Sequence, residues 1–280
     1  MRVIPSIQRN VQAPIGVFDS GLGGLTVVRE ILRRLPQENI VYLGDTARVP
    51  YGTRSAKTVI TYARSCARKL CEHDIKLLVV ACNTVSAVAV ELLAVELDMP
   101  VLGVIVPGAR AGVRSSTSGR IGVIATAGTV DSGAYPRAIA AANTRAETFM
   151  EPAPMLVPLA EEGWTEGEVP RLVARRYLQP LISAGIDTLV LGCTHYPLLR
   201  EAIAAELAAL SGQALPVVDS AEATAEELDA LLSARGLRAI RPEGGSLRVL
   251  VTDMPKRFAE IASRFLGSSV TGLEVEAIDL

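Results

Sequence analysis

Two stretches of this chain occur twice, in the same order and at nearly the same spacing. Ile15-Gly-Val-Phe-Asp-Ser-Gly-Leu-Gly-Gly24 is echoed 106 residues later by Ile121-Gly-Val-Ile-Ala-Thr-Ala-Gly-Thr129. Leu77-Leu-Val-Val-Ala-Cys82-Asn-Thr84 is echoed 111 residues later by Thr188-Leu-Val-Leu-Gly-Cys193-Thr-His195. Apolar runs ending in glycine are common, so either match alone would constrain little. Together they point to two related halves, each leading from a buried strand into a loop of small and polar residues.

The intervening pattern agrees. Eight short runs rich in Val, Ile and Leu are the expected strands: Ile15–Asp19, Ile40–Leu43, Leu77–Ala81, Val101–Val104, Ile121–Ala125, Thr188–Leu191, Leu215–Val218 and Leu247–Thr252. They are mostly apolar at consecutive positions, the signature of strands covered on both faces in a parallel sheet. Helical periodicity lies between them. Thr58–Leu70 sets Val59, Ile60, Ala63, Cys66, Ala67 and Leu70 on one face, with Arg64, Arg68 and Lys69 off it. Repeated strand–helix–strand order implies right-handed crossovers. The expected fold class is therefore α/β: two pseudo-symmetric, doubly wound domains with mainly parallel sheets and the active site in the cleft between them. At 280 residues the chain has length for about two domains and needs no disulfide or metal to support its core.

Composition narrows the function. A net charge of −2 without long runs of either sign argues against nucleic acid or an anionic membrane as the partner. Aromatic residues, at 4%, are too sparse for a base-stacking platform. No apolar stretch reaches the roughly 18 residues of a membrane span. Pro5 and its polar neighbours break the start before a secretory core can form, so a cytoplasmic location is expected. In that reducing compartment the four cysteines read as thiols.

Ligands of open parallel sheets sit beyond the carboxyl ends of the strands, where all these motifs lie. If the halves face each other about an approximate two-fold axis, Cys82 and Cys193 reach one pocket from opposite sides. A lone cysteine after an apolar strand is usually a small core hydrophobe. Here both thiols hold the same place in a repeat, and polar groups follow each: Asn83 and Thr84, then Thr194 and His195. A strand-end thiol at the start of the next helix also gains dipole support toward thiolate. One thiolate and one thiol across a pocket suit a reaction in which a proton leaves one face of a carbon and returns on the other. His195 is placed to stabilise the thiolate or relay its proton.

The surrounding loops offer binding groups. The turn Phe18–Gly24 lacks the Lys-Ser/Thr of a P-loop and the spacing of a dinucleotide site. Its amides and Ser20 can hold a carboxylate, while Asp19 can engage an ammonium group, the nearby thiol, or simply its own turn. Thr126 and Thr129 offer hydroxyls for a second carboxylate. For Pro50-Tyr51-Gly52, structural and binding roles balance. Glu161 alone reads as a solvated acid. Cys66, Cys71 and His73 lack zinc spacing, so no metal is expected. Pyridoxal phosphate would need a lysine at the cleft, yet Lys57, Lys69, Lys76 and Lys256 all lie elsewhere in the pattern.

Four motifs in order, Gly16–Gly24, Val49-Pro-Tyr-Gly52, Ala81-Cys-Asn-Thr84 and Leu191-Gly-Cys-Thr-His-Tyr-Pro-Leu-Leu199, closely resemble those of glutamate racemases, members of the cofactor-independent aspartate/glutamate racemase superfamily. The similarity runs from about Ala13 to near Leu280. It implies interconversion of L- and D-glutamate without a cofactor, supplying D-glutamate for peptidoglycan, in a homodimer. By position, Cys82 and Cys193 match the bases that take the α-proton of D- and L-glutamate respectively. Asp19 matches the acid assisting the first thiol; Glu161 and His195 match those assisting the second. Asp19, Ser20, Pro50, Tyr51, Gly52, Asn83, Thr84, Thr126, Thr129, Thr194 and His195 match substrate-binding positions. The family fold places one domain at residues 1–106 and 217–280 and the other at 107–216. The chain departs from the pattern at Val106, where the family often has Glu, at Thr252-Asp253, where a glycine commonly intervenes, and in its first dozen residues. Aspartate as substrate, a Cys193–His195 hydrolase, and a two-lobed amino-acid binding protein are the competing readings.

Overall fold

Residues 10–267 and 273–280 are described by the structure, a computed structural model. The first nine residues of the N-terminal extension lie outside them. The chain opens with β1 (Ile15–Asp19), α1 (Leu25–Arg34), β2 (Ile40–Gly44), α2 (Ala56–Cys71), β3 (Leu77–Val80), α3 (Asn83–Glu96), β4 (Val101–Gly103) and α4 (Ile105–Ser115). A second series follows: β5 (Arg120–Ala125), α5 (Ala127–Asp131), α6 (Ala134–Ala142), β6 (Glu147–Pro152), α7 (Leu156–Glu162), α8 (Glu168–Ser183), β7 (Thr188–Gly192), α9 (Arg200–Ser211), β8 (Val217–Asp219) and α10 (Ser220–Ala234). The chain closes with β9 (Leu247–Val251), α11 (Pro255–Leu266) and β10 (Val275–Ala277).

These strands form two sheets, ordered β10-β9-β2-β1-β3-β4 and β6-β5-β7-β8, with every described pairing parallel. The second order repeats the β2-β1-β3-β4 portion of the first. The register repeats too: Ile15 pairs with Leu77 as Ile121 pairs with Thr188. Even the tight packing recurs. A Cβ on Gly16 would stand 2.6 Å from Ile75 Cδ1, and one on Gly122 would stand 2.6 Å from Ile186 Cδ1. The internal repeat is thus a repeated three-dimensional unit.

Every residue of β1, β2, β3 and β7 is buried, as consecutive apolar positions require. Apolar residues of α1, α10 and α11 cover one face of the first sheet, and those of α2 and α3 the other. In α2 the buried stripe is Val59, Ala63, Cys66, Ala67 and Leu70, and Ser55 caps the helix by accepting from the Thr58 amide. The second sheet is likewise packed on both faces, by α7–α9 and by α4 with α6. No described helix is long and apolar enough to cross a membrane.

Two strands were not expected from the sequence. β6 reads Glu-Thr-Phe-Met-Glu-Pro and β10 reads Val-Glu-Ala, and both are edge strands with partly exposed or exposed residues. An edge strand needs no continuous apolar run, so it leaves a weak pattern. Val217–Asp219 pairs in parallel with Leu189–Leu191 and is the edge strand of the second sheet. The chain returns through α10, which packs on both α1 and α4.

Candidate active site

The two sheets share one strand order, so each has its topological switch between the strand that opens the half and the strand that ends in cysteine. Crevices of that kind hold ligands. In the first half, β1 delivers Asp19 and β3 delivers Cys82. Asp19 is buried and accepts from the Gly21 amide at 2.9 Å through Oδ2, while Oδ1 lacks a hydrogen-bond partner. Tyr42 donates to the Gly21 carbonyl and pins the same turn. Cys82 is the N-cap of α3, and its Sγ donates toward Ser20 Oγ at 3.5 Å. Burial, followed by the adjacent Asp19 carboxylate, pushes the Cys82 thiol up to about 12, outweighing the Ser20 contact and the amide at the helix start. Burial also raises Asp19 above the usual carboxylate range. Cys82 is held as a thiol.

The second half is built differently. β7 delivers Cys193, but the expected helix does not begin there. A single 3₁₀ turn, Tyr196–Leu199, intervenes before α9 starts at Arg200. In place of a helix N-terminus, the thiol has an imidazole. His195 Nδ1 lies 3.8 Å from Cys193 Sγ, and His195 Nε2 lies 3.1 Å from Glu161 Oε1 on α7. Phe265 of α11 meets the imidazole edge-on. Burial pulls the imidazole down, but the contacts with Cys193 and then Glu161 prevail and raise it to about 10. His195 in turn holds Glu161 below the usual glutamate range. His195 is therefore a cation at neutral pH, facing the thiol with one ring N–H and the carboxylate with the other.

The halves meet at this site. A Cβ on Gly23 would overlap Thr194 Oγ1 and stand 2.5 Å from His195 Nδ1, so only glycine permits the approach. Thr84 Oγ1 lies 3.0 Å from Thr126 Oγ1 and 3.4 Å from Thr129 Oγ1, a hydroxyl cluster drawn from both halves. The Gly128 amide donates to the Gly52 carbonyl at 3.1 Å. Behind this loop Tyr51 donates to buried Asp45, which also pairs with Arg48 and accepts from Thr252.

Between them lies a cavity of about 300 Å³. Ser20, Pro50, Tyr51, Gly52, Cys82, Asn83, Thr84, Thr126, Glu161, Cys193, Thr194 and His195 all line it. Asp19 and Thr129 do not. Both are buried in a second layer, Asp19 beside Cys82 and Thr129 behind the other two threonines. Glu161, which reads as a solvated acid in sequence, is tied to His195. Gly21, Thr53, Ala127, Val49, Pro154, Val157 and Pro158 also line it, and none of them is among the expected site residues. The last three flank Glu161 on or just before α7, where helical spacing from that residue is the available signal. None of the four lysines lines the cavity, and Lys76 is paired with Glu38. Among the described residues no three or more His, Cys, Asp or Glu side chains are placed so that they could hold a metal ion together. A separate cavity of about 480 Å³, between the end of α3 and α10, gathers no comparable group of reactive side chains.

The linkage Cys193–His195–Glu161 alone would suit a thiol hydrolase. A second thiol on the same cavity, from the matching position of a matching half, is instead the layout of a two-domain amino-acid racemase. The chain belongs to the Asp/Glu/Hydantoin racemase family, whose model matches residues 15–228. It is 52% identical over 258 residues to the glutamate racemase of Geobacter metallireducens, covering 91% of this chain and 93% of that one. Among solved structures it resembles a glutamate racemase from Bacillus anthracis, with a TM-score of 0.91 and 39% identity over 97% of this chain and 99% of the other. It also resembles the glutamate racemase of Francisella tularensis in complex with D-glutamate, with a TM-score of 0.86 and 35% identity over 96% and 98% of the two chains.

Proposed function

We propose that the chain interconverts L- and D-glutamate, with Cys82 and Cys193 exchanging protons at opposite faces of the α-carbon. The observation that carries this reading is that two buried thiols, from matching strand ends, line one small cavity. The solved relative holding D-glutamate supports the substrate, at an identity and coverage high enough to carry over the cavity's chemistry.

The roles follow from the unlike surroundings of the thiols. Cys193, which faces His195 Nδ1 at 3.8 Å, is the base that takes the α-proton of L-glutamate. Cys82, kept protonated, delivers its own proton to the opposite face and gives D-glutamate. The step leaves a thiol at Cys193 and a thiolate at Cys82. One proton must return before the next turnover in that direction, and Asp19 and His195 stand beside the two sulfurs to move it. In reverse, Cys82 takes the proton of D-glutamate. An amino-acid α-carbon is far less acidic than a thiol, so the pocket must stabilise negative charge spreading into the α-carboxylate. Ser20, Asn83, Thr84, Thr126 and Thr194, with the loop amides, form that polar wall, and Pro50, Tyr51 and Gly52 close it. Asp19 and Thr129 act from behind. No cofactor takes part in this scheme.

The product is D-glutamate for peptidoglycan, made in the cytoplasm by a homodimer. Light scattering of the purified chain tests the assembly. The decisive chemical experiment incubates the protein with L-glutamate in D₂O. Decay of optical rotation to zero with deuterium at the α-carbon supports two-base racemisation. A persistent signal with a trapped thioester on Cys193 would favour hydrolysis, and a markedly faster rate on aspartate would reassign the substrate.

A further inference from the structure

The approximate two-fold relation extends beyond the thiols. α1 starts at Leu25 after the opening strand of its half, and α6 at Ala134 after the opening strand of the other half and the short α5; Thr26 and Tyr135 are the second residues of these two helices. Both side chains are fully buried. Each reaches across to the opposite half and meets the residue immediately after a thiol. Thr26 Oγ1 lies 2.9 Å from the Thr194 carbonyl, sharing its single proton with the Gly23 carbonyl at 2.9 Å. Tyr135 donates to Asn83 Oδ1 at 2.9 Å. Neither residue lines the cavity.

From this pairing we infer that Thr26 and Tyr135 are reciprocal positioning residues, through which each half holds the thiol loop of the other. The inference rests on the racemase reading of the cavity. The two contacts have the same place but different consequences. Tyr135 occupies the oxygen of the Asn83 amide, which directs Nδ2 away from it; that nitrogen is buried, unpartnered and on a residue lining the cavity. The phenol thus sets the amide so that its N–H donors serve an anionic oxygen of the substrate. Thr26 holds backbone, not side chain. It fixes the carbonyl between Cys193 and His195, and with it the direction from which the thiolate meets the α-carbon. Displacement of a reacting group by about 1 Å costs on the order of 10²-fold in rate.

The test compares Tyr135→Phe, Thr26→Val and Thr26→Ser in the full-length chain. Tyr135→Phe raises KM for both glutamate enantiomers about tenfold, the loss of one hydrogen bond to a charged group, and has no further effect when Asn83 is already Ala. Thr26→Val leaves KM within about twofold and lowers kcat about tenfold, and Thr26→Ser restores it. Thr26→Val also changes the iodoacetamide labelling rate of Cys193, followed by peptide mass spectrometry, and leaves that of Cys82 unchanged. Unaltered kinetics in both variants, additive effects of Asn83→Ala and Tyr135→Phe, or equal losses in Thr26→Ser and Thr26→Val would overturn the inference. The labelling arm needs no turnover. If the wild-type chain fails to racemise glutamate, the proposed function falls while labelling still decides whether Thr26 holds the Cys193 loop.

Discussion

The two thiols hold equivalent places in equivalent folds, yet their neighbours are unlike. Cys82 sits at the start of an α-helix, beside a buried carboxylate and a hydroxyl. Cys193 sits before a 3₁₀ turn, beside an imidazole backed by a carboxylate. The lesson is that duplication supplies matching positions, whereas the groups set against each thiol differ from one half to the other. Burial and Asp19 favour the thiol form of Cys82, whereas Cys193 faces the imidazole of His195.

Removing either thiol breaks the comparison outright. Cys82→Ala and Cys193→Ala should each lower racemisation by about 10²–10⁴-fold, with little change in thermal melting, as read by polarimetry and calorimetry. Substantial turnover in either variant would mean that one thiol suffices. Gly23→Ala should come next, costing on the order of 10²-fold in kcat, because its methyl group displaces Thr194 and His195 together.

Asp19→Asn sharpens the contrast. With the neighbouring negative charge gone, the Cys82 pKa falls from about 12, so iodoacetamide labels that thiol faster at alkaline pH. On the proposed scheme turnover nevertheless slows, because Asp19 no longer exchanges protons with Cys82. Faster labelling with unchanged turnover would leave Asp19 a purely structural role. The smallest effect belongs to Glu161→Gln. His195 is protonated below about 10 and loses its proton above, so activity that depends on the imidazolium should decline as pH rises through that value. Without the Glu161 carboxylate the imidazolium is less stable, and this alkaline limb should move to lower pH in a profile of kcat/KM. A limb that stays in place would separate Glu161 from His195 titration.

Much of this arrangement is legible in the residues. The repeat brings Cys82 and Cys193 to corresponding strand ends, and Val/Ile/Leu runs mark the buried strands because such strands have no polar face. Ser20, Thr126 and His195 follow as polar residues in the loops after them. Other features leave little local trace. Glu161 lies 34 residues from its partner His195 and looks like any exposed acid. Thr26 meets Thr194 across 168 residues, and Tyr135 meets Asn83 across 52. The edge strands β6 and β10 are too polar, and Val217–Asp219 reads the same whichever sheet it joins.

By itself, then, the sequence determined the parallel α/β class, the duplication and the two cysteines, because periodicity and repetition are written locally along a chain. The tertiary structure alone decided which polar groups stand beside each thiol: Ser20 and Asp19 beside Cys82, and His195 backed by Glu161 beside Cys193. Burial and distances of a few ångströms set how those groups act on one another, and both arise only when segments remote in sequence pack together.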